Sequence, residues 1–130
     1  MYSTRSAISG YGAMRDTTGS PREREAEVFV RSIIALKKAS EVRKTDPAFF
    51  HKTLTDNRKL WIHLAAEAAT AANPMTRQLK ADIISLSQFV MDHSTLVLTR
   101  DAPLEPLLDV NIQIHRGLSG QFPISSSAHA

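Results

Sequence analysis

"DNRKLWIHLAAEAATAANP", residues 56–74, holds the chain's only Trp, Trp61, on a stripe that runs Phe50, Leu54, Asn57, Trp61, Leu64, Ala65 and Ala68. Apolar residues recurring every three or four positions define one buried face of a helix. The alanines beside the indole leave room for a large ring between closely packed helices, so Trp61 reads as a core residue, although Trp is also enriched at the centres of protein interfaces. Asn57 lies on the same stripe, and a buried amide has to find hydrogen-bond partners. Asn111, the polar residue on the stripe of a later helix, is the partner the pattern predicts.

The same spacing organises the rest of the chain. "SPRE" supplies Ser20 as an N-cap, Pro21 at the first helical position and Glu23 to complete a capping box, predicting a first helix to about Arg43. Its face carries Ala26, Phe29, Val30, Ile33 and Leu36, with Val28 and Ile34 widening it. "TDP" caps a second helix with Asp46 and starts it at Pro47. "NP" at Asn73 and Pro74 ends that helix and is expected to open the third, with Leu79, Ile83, Leu86, Val90 and Val97 aligned and Phe89 beside them. "RDAPLEP" breaks the third helix near Arg100, and a fourth starts at Pro103 or Pro106, carries Leu107, Val110 or Asn111, and Ile114, and stops at Gly117.

No alternation long enough for a pair of strands occurs, and the expected fold is all-α: a small four-helix bundle with short connections. Residues 1–19, rich in Gly, Ser and Thr, read as a flexible N-terminal arm, residues 20–118 as the bundle, and residues 119–130 as a disordered tail.

With 130 residues and 42% hydrophobic content, the chain can bury one modest core. It has no run of about 18 apolar residues for a membrane span and no signal-peptide pattern at "MYSTRSAISGYGAMRD", so a cytoplasmic protein without membrane contact is expected. Zero cysteines exclude disulfides, thiolate zinc sites and a cysteine nucleophile. His51, His63, His93, His115 and His129 have no metal-ligand spacing, and neither a nucleophile elbow nor a phosphate-cradling glycine loop is present. Catalysis, a cofactor and a small-molecule substrate are therefore not expected. The net charge of +3 and pI near 9.5 leave nucleic acid open as a partner, but the charges are interleaved rather than gathered, which is the pattern of a solvated helix face.

"NRKLW" at residues 57–61 and "LKADIISL" at residues 79–86 resemble the FlaF family of flagellin regulators. Tyr11, Met14 and "SPRERE" are similar to the family's N-terminal pattern, and "LLDVN" at residues 107–111 with Ile114, Gly117 and Leu118 is similar to its C-terminal one. The resemblance covers about Tyr11 to Leu118 and departs from the family at Phe89 and in the alanine run before Asn73. It implies a non-enzymatic protein of flagellin production and export, working with flagellin and with a second regulator, FlbT. Asn57, Arg58, Leu60, Trp61, Asn111 and Gly117 carry the shared structural motif.

Partner binding is expected on the arm and the first helix, at Tyr11, Arg22, Val28 and Ile34, with Leu96 and Leu98 on the third helix. An isolated Tyr11 in a Ser- and Gly-rich arm docks either on its own bundle or on a partner. A direct RNA-binding regulator is the rival reading, disfavoured because the aromatic residues fall mostly on apolar stripes rather than amid basic ones.

Overall fold

The computed structural model describes residues 21–118, with side chains from Glu23 onward. Four helices follow one another: α1 (Pro21–Glu41), α2 (Pro47–Ala68), α3 (Arg77–Arg100) and α4 (Glu105–Leu118). The expected arm, the tail and the cap Ser20 lie outside the described residues. α1 packs most extensively on α4 and α2 on α3, while α1–α2 and α3–α4 contacts close the ring of the predicted bundle.

The helix boundaries follow from local chemistry. Asp46 caps α2 as expected, its Oδ1 accepting the Phe49 N–H at 3.1 Å, with Pro47 opening the helix. α3 departs from expectation, since it begins at Arg77 rather than at Pro74. Asn73 Oδ1 accepts the Met75 N–H at 2.9 Å, a local turn that keeps Pro74 in the connection, and the Thr76 hydroxyl then caps the helix by accepting the Leu79 N–H at 3.1 Å. α3 ends where predicted. Asp101 turns left-handed at φ 58°, and the Ala102 N–H reaches back to the Leu96 carbonyl at 3.2 Å. α4 starts at Glu105 and runs one residue past Gly117.

Phe29, Leu36, Leu54, Trp61, Ile83, Val90, Leu107 and Ile114 form the centre of the core, all essentially inaccessible to solvent. The Phe29 and Trp61 rings meet edge-to-face, with centroids 5.6 Å apart and planes at 84°. The buried face of α1 is narrower than predicted. Val30 stands in solvent and Ile33 is half-buried, because α2 and α4 grip only the line through Phe29 and Leu36.

At one end Arg43, just beyond α1, clips the bundle together. Its guanidinium donates to the Ala102 carbonyl at 2.8 Å and the Val97 carbonyl at 3.0 Å, pairs with Asp101 at 3.1 Å and stacks over the Phe50 ring at 4.6 Å. A cation at the C-terminus of α3 also faces the negative end of its dipole. Beside it the Ser40 hydroxyl donates to Glu105 Oε2 at 2.6 Å. That hydrogen bond, with one from the Glu105 backbone and the nearby Arg43 charge, holds the Glu105 carboxyl below its ordinary pKa against a small opposing effect of burial.

Candidate partner-binding surface

The polar residues of the core form one connected centre. Asn111 of α4 accepts from Trp61 Nε1 at 2.9 Å and donates its two amide hydrogens to Asn57 Oδ1 at 2.7 Å and Ser32 Oγ at 2.9 Å. The Ser32 hydroxyl in turn donates to the Phe29 carbonyl at 2.7 Å. One amide thus joins α1, α2 and α4, and the predicted pairing of Asn57 with Asn111 is present. Trp61 is fully buried, so its role is packing and positioning rather than contact with a partner. Leu60 packs half-buried against the core, Gly117 is buried, and Arg58 lies half-exposed on the outer side of α2.

What remains accessible is an apolar exterior. Val30, Ile34, Ile62, Ile84, Phe89, Leu96 and Leu98 are large apolar residues exposed to water, with Ile34 at 64% and Ile62 at 57% the most exposed. Ile34, Leu96 and Leu98 were expected among these. Val28 is half-buried, and Tyr11 and the Arg22 side chain lie outside the described residues. Residues two or six apart on a helix point to different sides. Leu96 and Leu98 therefore occupy opposite flanks of the buried Val97, as Val28 and Ile34 do on α1, and the expected residues do not share one patch. Ile62 and Ile84 were missed, although each lies off its own stripe, the same signal that singled out Ile34.

Neighbouring contacts identify the flanks. Lys80 Nζ donates to the Thr70 carbonyl at 3.0 Å, so the side of α3 bearing Lys80, Ile84, Met91 and Leu98 adjoins α2. His93 Nε2 is 2.8 Å from the Pro103 carbonyl and its ring stacks on Phe89 at 5.3 Å, which assigns Asp82, Phe89, His93 and Leu96 to the α4 side. On α2, Phe49 lies under Lys38 Nζ of α1 at 5.1 Å, so the opposite flank, with Arg58, Ile62 and Ala65, turns toward α3. Among the described residues no group of three or more His, Cys, Asp or Glu is placed to hold a metal ion. No helix among them is long and apolar enough to cross a membrane.

The fold and its surface define a small all-α bundle, centred on a buried amide and carrying large apolar side chains in water on three of its helices. A family model described as "Flagellar protein FlaF" matches residues 7–118, and the chain belongs to that family. Membership assigns it a flagellar role. No curated protein and no solved structure gives a significant match.

Proposed function

We propose that the protein binds unassembled flagellin in the cytoplasm as a chaperone-like cover and, with FlbT, couples flagellin level to its synthesis and secretion. It acts by binding, without catalysis. The observation that carries this reading is the set of seven exposed large apolar residues on a bundle whose core is already closed. Where such residues lie on adjoining flanks, as Ile62 of α2 and Ile84 of α3 do, they offer an apolar surface of the kind that marks an interaction site, and an amphipathic partner helix docks on such surfaces through anchors at i, i+3, i+4 and i+7. Unpolymerised flagellin with unpartnered apolar helices would need that kind of cover. Flagellar family membership supports the choice of partner.

The rival, direct binding of flagellin mRNA, draws on the basic pI. Single-stranded RNA readers stack bases on exposed aromatic rings amid basic residues, whereas Phe29, Phe50 and Trp61 are buried here and the exposed Phe89 is flanked by Asp82 and Asp92. Size-exclusion chromatography with light scattering separates the two, with the purified protein mixed in turn with flagellin, FlbT and the mRNA leader at low and physiological salt. A stoichiometric, salt-tolerant complex with flagellin is expected. Binding to the leader alone, lost steeply as salt rises, would overturn the proposal.

A further inference from the structure

The exposed apolar residues differ in their electrostatic surroundings, and one groove stands apart. Ile84, Met91 and Leu98 recur every seven residues and line the α2 side of α3. Ile62 and Ala65 of α2, with Ala69 just past its end, follow the i, i+3, i+7 spacing on the side toward α3. The two helices are antiparallel, and Ile62 and Ile84 both lie about two turns from the connection that joins them, which brings them to the same level. Ile62 is 57% exposed, Ile84 47% and Leu98 37%. Ala65 and Ala69 keep the α2 wall low near the connection, so the α2–α3 seam there forms a shallow trough with an apolar floor that Met91 and Leu98 continue along α3.

Its rim is positive. Arg58 on α2 and Arg77 and Lys80 on α3 border the trough, and no ion pair engages Arg58 or Arg77 among the described residues. Neither wall carries a carboxylate. Asp56 and Glu67 of α2 pair with Lys52 and His63 on the opposite flank. On α3, Asp82 lies on the α4 side, and Asp92 projects outward, where its Oδ1 accepts from Gln88 at 3.2 Å. The other exposed apolar sites lack this segregation: Ile34 shares its side of α1 with Glu23, Glu27, Lys37 and Glu41, and Phe89 is flanked by Asp82 and Asp92.

We propose that the outer groove between α2 and α3 is the docking site for an amphipathic helix whose apolar stripe is bordered by carboxylates. Ile62 and Ile84 serve as its central anchors, Met91 and Leu98 extend the floor, and Arg58 and Arg77 select acidic flanks over basic ones. The inference rests on the flagellin-binding reading only for the identity of the occupant; the chemistry of the groove stands without it.

The test uses the full chain and two kinds of probe: flagellin, and a synthetic helix with Leu at i, i+3, i+4 and i+7 flanked by Glu, compared with the same helix flanked by Lys. Affinities are measured by calorimetry for wild type, Ile62→Asp, Ile84→Asp, the Arg58→Glu/Arg77→Glu pair and Ile34→Asp, with melting curves to show that each variant folds. The wild type is expected to prefer the Glu-flanked helix, and either Ile→Asp change to weaken binding at least about tenfold, the scale of an interface anchor. The arginine pair, once reversed, is expected to favour the Lys-flanked helix. Groove-dependent peptide binding without flagellin binding would remove flagellin as the occupant and leave the groove standing. Flagellin binding that ignores the groove variants but is lost in Ile34→Asp would overturn the groove and keep the function. Binding of neither probe would overturn both. Capture of the mRNA leader that needs the arginines but not the isoleucines would overturn helix docking in favour of RNA.

Discussion

Trp61 donates its indole N–H to Asn111 Oδ1 at 2.9 Å, a bond between residues fifty positions apart that ties α2 to α4 through the middle of the bundle. A Trp buried in a helical core requires a partner for its one polar atom. Asn111 supplies it, and the two amide hydrogens left over orient Asn57 and Ser32. The network explains why a single Trp lies among alanines: the small side chains admit the ring and the asparagine fixes its direction.

Asn111→Leu leaves the Trp61 N–H and Asn57 Oδ1 buried without partners and is expected to cost about 3 kcal/mol. Asn57→Leu is expected to cost less, about 1 kcal/mol, because Asn111 keeps two of its three bonds and the change also removes Asn57 Nδ2, which is buried with no partner. Urea denaturation of the two variants checks the order. Equal losses would show that Asn111 is not the hub.

Ser94 of α3 is fully buried, and its hydroxyl has no hydrogen-bond partner. Removing an unsatisfied polar atom relieves its desolvation penalty, so Ser94→Ala is expected to match or exceed wild-type stability, with any loss under about 0.5 kcal/mol. A drop in melting temperature comparable to that of a core truncation would contradict this.

Arg43→Ala deprives the Val97 carbonyl in the last turn of α3 and the Ala102 carbonyl just beyond it of one donor each and uncovers Phe50, with an expected cost of about 2 kcal/mol. Lys at this position should restore only part of the loss, since one ammonium cannot reproduce the fork of a guanidinium. Hydrogen exchange at the Thr99, Arg100 and Ala102 amides should accelerate in both variants, more in the alanine. Unchanged protection there would mean that the clip does not hold the helix end.

Glu105 has a lowered pKa in the folded protein, chiefly through the Ser40 hydroxyl. A carboxylate held below its ordinary value stabilises the fold at neutral pH, and that contribution disappears as pH falls through the ordinary carboxylate range to the depressed folded value. Ser40→Ala should move the Glu105 carboxyl back toward the ordinary value in an NMR titration and flatten the acid limb of the stability profile. A titration unaltered by the substitution would assign the shift to the backbone bond and Arg43 instead.

Much of this architecture is legible in the sequence because it is set by local chemistry. The three-and-four spacing of apolar residues specifies four helices, Asp46 with Pro47 specifies where α2 begins, and two asparagines on apolar stripes announce a polar contact inside the core. The start of α3 departs from the sequence pattern because two local devices compete at residues 73–76. Proline alone marks a permitted helix start, but the Asn73 turn and the Thr76 cap, each closed by one side-chain hydrogen bond, move the start to Arg77. The exterior is a different matter. Whether Val30, Ile62, Ile84 or Leu98 is core or surface, and which of them share a groove, depends on which flank of each helix a neighbour covers, a relation between segments distant in sequence. Periodicity records a helix's own geometry and carries no information about its neighbours, so the helices and their polar centre were determined by the sequence, while the trough between α2 and α3 was decided only by the packing.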